Sequence, residues 1–205
     1  MSFFDQPARV TRFQLVHALW HRQRMEVLPG VAPVALVLAR TDDTVAGLTD
    51  IRGYPEGFVF LLRLRWGAVS DRDEEAPWPF PHWGSPDPLD GDPFPDELLR
   101  FGVQFADGRR VTNMDCYPFV PEDLPPDQPV LVEGGDIGSE GGRLGRGASW
   151  DLELTVQPLP PPGPLAFVCA WPGRGIPEAR VEIDAGLVLD AAAAARPFFA
   201  SEVQS

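Results

Sequence analysis

From Phe58 to Trp66 the chain alternates. Phe58, Phe60, Leu62, Leu64 and Trp66 fall on one side of an extended strand, with Arg63 and Arg65 on the other. A period of two places successive side chains on opposite faces, so this segment reads as a strand with one apolar and one solvated side. The pattern recurs in Leu98–Phe105 through Leu99, Phe101, Val103 and Phe105. In Trp150–Gln157 it places Trp150, Leu152, Leu154 and Val156 opposite Asp151, Glu153 and Thr155. Leu165–Trp171 is apolar on both sides, which predicts a central strand covered on both faces. Val34–Ala39, Val45–Tyr54, Arg110–Met114, Val130–Val132 and Ala179–Asp184 are further extended runs.

Turn chemistry separates these runs. Thr41-Asp42-Asp43 and Tyr54-Pro55-Glu56-Gly57 read as turns. Ala106-Asp107-Gly108-Arg109 predicts a hairpin whose Asp-Gly pair takes the positive φ angles of a type I′ turn. Pro158–Pro164 is a stiff connection suited to crossing from one sheet to another. Asp184 is placed to cap a helix over Ala185–Ala195, stopped by Pro197. The expected fold is all-β: an antiparallel β-sandwich of about eight strands, with long proline- and glycine-rich loops and a short C-terminal helix.

A single domain is expected over residues 1–205, with three irregular parts. Residues 1–30 form an N-terminal extension, in which Thr11–Val27 reads as a helix ended by Pro29-Gly30. Residues 70–97 carry seven prolines and nine acidic residues against one arginine, Arg72, and show no periodicity; they read as an excursion from the sandwich. Residues 133–149 read as a glycine-rich loop, with seven glycines between Gly134 and Gly147.

The formal net charge of −13 disfavours nucleic acid and anionic membranes, both of which attract basic surfaces. All seventeen basic residues are arginine, so no lysine is available as a Schiff-base nucleophile or P-loop phosphate ligand. No apolar run approaches the ~20 residues of a membrane span. No signal-peptide pattern is visible, and the expected compartment is the cytoplasm. Two cysteines, Cys116 and Cys169, do not make a disulfide scaffold; Cys169 lies in a strand pattern and reads as a small buried apolar residue.

Candidate chemistry is sparse. The glycine loop ends Gly-Ala-Ser-Trp and precedes a strand, whereas a P-loop ends Gly-Lys-Ser/Thr and opens a helix. His17 and His21 would share a helical face, but the HExxH pattern is missing. Asp87, Asp90 and Asp92 lack EF-hand spacing. Asp151 and Glu153 share one strand face, as do Glu182 and Asp184; such same-strand carboxylates read as the wet side of a sheet, whereas a glycosidase pair faces across a cleft. No G-x-S-x-G elbow or triad context is present. No catalytic residue, metal ligand or cofactor is therefore assigned. The residues assigned to ligand or partner contact are Arg143, Arg146 and Trp150 at the glycine loop, and Trp78 and Trp83 in the excursion, where Phe80 and His82 join them.

The segments LRFGVQFADGRRVTN (Leu99–Asn113) and QPLPPPGPLAFVCAWPGRGIPEARVEID (Gln157–Asp184) resemble a family of uncharacterised β-rich proteins from high-GC bacteria. The likeness runs from about Val31 onward, on the Asp-Gly hairpin and the proline hinge. It implies a cytoplasmic bacterial protein and brings no activity or catalytic residues. The expected function is that of a non-enzymatic binding or interaction module with another protein as partner. The alternative is a carboxylate-based hydrolase or carbohydrate-active enzyme on a β-sandwich.

Overall fold

A computed structural model describes residues 13–14, 24–67, 94–114, 120–121, 127–140 and 148–199. The strands are β1 (Phe13–Gln14), β2 (Val27–Leu28), β3 (Gly30–Ala32), β4 (Leu36–Arg40), β5 (Thr44–Tyr54), β6 (Gly57–Trp66), β7 (Arg100–Gln104), β8 (Arg110–Thr112), β9 (Val120–Pro121), β10 (Val130–Glu140), β11 (Ala148–Gln157), β12 (Pro164–Trp171), β13 (Ile176–Asp184) and β14 (Arg196–Pro197). Helix α1 spans Gly186–Ala193. The larger sheet runs β10-β11-β6-β5-β3, with β4 also paired to β5; the smaller runs β13-β12-β7-β8. Every pairing is antiparallel. β1 pairs with β9 and β2 with β14 as separate two-stranded ribbons.

The two sheets share one core. Phe60 of the larger sheet meets Phe167 and Phe101 of the smaller at ring separations of 5.4 and 5.7 Å. The alternation read from sequence supplies this face: Phe58, Phe60, Leu62, Leu64, Leu152, Leu154 and Val156 are fully buried. β12 lies inside its sheet, buried along Leu165–Trp171, as its two apolar faces require. Cys169 is a free thiol there, and burial pushes its pKa up to about 12. The proline-rich link after Gln157 carries the chain from β11 in one sheet to β12 in the other.

Helix α1 closes the core at the β3 edge, where Ala185, Val188 and Ala191 join the cluster. Paired glycines admit it: a Cβ on Gly53 would lie 2.3 Å from Ala192 N, and one on Gly30 would lie 2.1 Å from the Ala191 carbonyl oxygen. The N-cap of the helix is Ala185, without a side-chain cap, and not Asp184 as expected; the Asp184 carboxylate, one residue earlier, accepts the Gly186 N–H at 2.8 Å. Asn113 extends the β7–β8 pairing with its side chain. It accepts the Phe101 N–H at 2.9 Å and donates to the Leu99 carbonyl at 2.7 Å.

Several expectations need correction. Gly108 has φ of 89° and Asp107 is not at positive φ, so the Asp-Gly hairpin is not type I′. Gly108 N–H closes a turn on the Phe105 carbonyl, with one left-handed glycine following. Of the helix expected over Thr11–Val27, residues 24–26 are helical while Phe13–Gln14 and Val27 are extended; residues 11, 12 and 15–23 lie outside the described ones. The largest change is at the glycine-rich segment. Val130–Val132 is the start of an eleven-residue strand, so Glu133–Glu140 is sheet and only residues 141–147 remain of the expected loop. The pairing tolerates these glycines through two bulges, with Gly134 and Ile137 as the extra residues.

Candidate functional site at the end of the sandwich

One end of the sandwich gathers the roots of both irregular segments. β6 ends at Trp66, which is in register with Ala148 at the start of β11 and with Thr44 at the start of β5. Residues 68–93 therefore leave the sheet beside the strand into which residues 141–147 return. Glu140, the last residue before 141–147, pairs with Ser149.

The far root of the excursion is fixed at the same end. Trp171 Nε1 donates to the Glu97 carbonyl at 2.8 Å, and Gly173 N–H donates to the Asp96 carbonyl at 2.8 Å. Arg100 Nη2 donates to Asp96 Oδ1 at 2.7 Å and to the Phe94 carbonyl at 3.1 Å. The two roots meet where Trp66 and Trp171 pack edge to face, 5.5 Å apart. Arg174 lies over the Trp66 ring at 5.0 Å and the Trp171 ring at 5.8 Å, a cation–π contact that caps the pair.

The β4–β5 turn completes this end. Gly67 N–H donates to the Asp43 carbonyl. The hydroxyls of Thr41 and Thr44 donate to Asp43 Oδ1, each at 3.0 Å; with Arg174 in charge reach, they hold the Asp43 carboxyl below the usual carboxylate range. Asp42, Asp43, Asp96 and Glu97 are exposed here, giving an acidic rim around a buried aromatic pair.

A second polar constellation lies on the outer face of the larger sheet. Glu153 was expected on the wet side of β11, yet its side chain is 6% exposed. Its Oε1 pairs with Arg24 and its Oε2 with Arg52 Nη2 at 2.5 Å. A bulge in β5 puts Arg52 there: Thr49 pairs with Leu61 and Arg52 with Val59, so three steps on β5 match two on β6. Without the extra residue Arg52 would point into the core. Asp50, at φ of 57°, sits in that bulge, and its carboxyl is held down by the Thr49 hydroxyl and by Arg63. Gly134 makes room for the clamp, since a Cβ there would lie 2.7 Å from Glu153 Oε1. Farther along, Arg65 pairs with Asp151 at 2.6 Å, and Arg63 pairs with Asp50 at 3.2 Å and Asp151 at 3.7 Å.

Of the residues assigned to contact, only Trp150 is described. It is half-buried on the core side of β11 and packs against the core. Arg143, Arg146, Trp78 and Trp83 lie outside the described residues, as do His17, His21, Phe80, His82, Asp87, Asp90, Asp92 and Cys116. Asp151 and Glu153 share the outer face of β11, and both are taken up by arginines. Glu182 pairs with Arg180 at 2.9 Å on the other sheet. Among the described residues no group of three or more His, Cys, Asp or Glu side chains is placed to hold a metal ion, and no helix is long and apolar enough to cross a membrane.

Comparison with protein-family models, with curated proteins and with solved structures finds no match.

Proposed function

We propose that this chain is a non-enzymatic interaction module that engages a protein partner through one end of its sandwich. The observation that carries the reading is the register Trp66–Ala148, which roots residues 68–93 and 141–147 side by side on adjacent strands. Loops presented from the end of a rigid sandwich are a common way to build a binding surface, because the sheets fix their positions. Arg143 and Arg146 supply charge-assisted donors, and Trp78 and Trp83 supply aromatic anchors. Trp150, packed against the core at the start of β11, belongs to the scaffold. The acidic rim of Asp42, Asp43, Asp96 and Glu97 favours a partner patch with basic character. The proposed compartment is the bacterial cytoplasm.

The carboxylate hydrolase receives no support from the described carboxylates of β11 and β13 already considered, since Asp151, Glu153 and Glu182 are each engaged by arginine.

The test replaces residues 142–147 with a two-residue Asn-Gly turn, which keeps Glu140 opposite Ser149 and so leaves β10 and β11 in register. Tagged wild type and variant are used for affinity capture from native cells. Unchanged thermal unfolding with loss of the co-purified partner supports the reading. A correctly folded variant that retains the same partner, together with an equally competent Arg143→Ala/Arg146→Ala variant, removes the role assigned to that tip.

A further inference from the structure

Residues 24–28 cross the outer face of the larger sheet in a particular way. Residues 24–26 form a helical turn, which places Arg24 and Val27, three apart, on one side. Arg24 reaches Glu153, and Val27 packs on Tyr54 and Val59. Met25 is 74% exposed, and Glu26 also points away from the sheet. The segment is held otherwise by the two-residue pairing of β2 with β14 and by Phe198 N–H donating to the Glu26 carbonyl at 2.9 Å.

The surface beneath is only partly used. Arg52 Nε and Thr155 Oγ1 are buried on the same sheet face, flanking Val59 in register, and neither has a hydrogen-bond partner among the described residues. Thr155 is 2% exposed. A buried donor left unpaired costs stability, so an occupant that offered acceptors to these atoms would fit better than residues 24–28 do.

We propose that Glu153, Arg52, Thr155, Tyr54 and Val59 line a recognition groove for a helical turn carrying an arginine and, three residues later, a β-branched aliphatic residue. Residues 24–28 occupy this groove in cis. A partner segment of the same chemistry displaces them in trans, with its arginine on Glu153, its aliphatic side chain on Tyr54 and Val59, and its acceptors on Arg52 Nε and Thr155 Oγ1. This groove is separate from the sandwich end.

The probe is a fluorescent synthetic peptide with the sequence of residues 20–30, followed by anisotropy. The full chain with Arg24→Ala and Val27→Ala, which empties the groove of both competing side chains, is expected to bind it. Wild type, with its own segment competing, is expected to bind about tenfold more weakly, and adding Glu153→Gln to the emptied chain is expected to cost about tenfold or more. A folded, emptied chain that gives no anisotropy change overturns the proposal, as does binding indifferent to Glu153→Gln. If the emptied chain does not fold, hydrogen exchange of wild type at residues 25–28 is followed with and without excess unlabelled peptide. Faster exchange there in the presence of peptide supports displacement, and an unchanged rate overturns it.

Discussion

Glu153→Gln tests whether the outer-face clamp is structural in the way its geometry requires. The carboxylate is 6% exposed and both oxygens meet guanidinium groups, while Arg24 and Arg52 are 22% and 27% exposed. Removing one partner from a fully buried ion pair costs about 3–5 kcal/mol, because the charge left behind is uncompensated. Here the groups left behind are about one-quarter exposed and regain some hydration, which lowers the expected cost to about 2–3 kcal/mol. Arg24→Ala leaves Arg52 on the carboxylate, so it should cost less, about 1–2 kcal/mol. Arg180→Ala is the surface control. Its pair with Glu182 is 43% and 50% exposed and should contribute less than about 1 kcal/mol. Urea unfolding at 25 °C reads all three. With a slope of about 2 kcal/mol/M, Glu153→Gln should lower the midpoint by about 1 M. An effect no larger than that of Arg180→Ala would return Glu153 to the status of a surface charge.

Three further outcomes follow from the packing. Gly53→Val drives a side chain into the backbone of α1 and should destabilise the fold by several kcal/mol (of order 3) in thermal unfolding, whereas Gly108→Asn, in open space at positive φ, should cost about 1 kcal/mol or less. Asn113→Ala strands the buried Phe101 N–H and Leu99 carbonyl and should cost about 2–4 kcal/mol by urea unfolding; a loss below about 1 kcal/mol would show that water replaces the amide. Cys169 has a folded pKa of about 12 against an ordinary 9.0. The unfolded thiol ionises first, so its contribution to stability is complete below pH 9 and falls away as pH rises towards 12. Wild type should therefore lose more stability over that interval than Cys169→Ala, and equal pH profiles would contradict the assigned burial.

Local pattern made the core strands legible. Alternation in β6, β7 and β11 marked their buried faces, the double apolar character of β12 marked it as interior, and the proline-rich link marked the crossing between sheets. Three features were hidden for physical reasons. The strand β10 was concealed by its glycines, which usually signal loops; here Gly134 occupies a bulge and makes room for a neighbouring ion pair, while Gly135 and Gly138 pair in register. The burial of Glu153 was concealed because Arg24 and Arg52 come from distant parts of the sequence, and a one-residue bulge decides which face Arg52 occupies. The meeting of the two loop roots needed the strand register, which no local window contains. Of the contact residues assigned from sequence, Trp150 is the one described, and its place in the alternation puts it on the core side.

We propose the end of the sandwich bearing Trp66, Trp171 and Arg174 as the partner-binding surface. Hydrogen exchange followed by mass spectrometry, on the chain alone and in complex with its co-purified partner, reads that surface. New protection is expected at residues 41–44, 66–67, 94–98 and 172–175, around the loop roots, with the exposed edge strand β13 unchanged. Protection confined to β13 or to the outer sheet faces, with those four segments unaltered, would contradict that assignment.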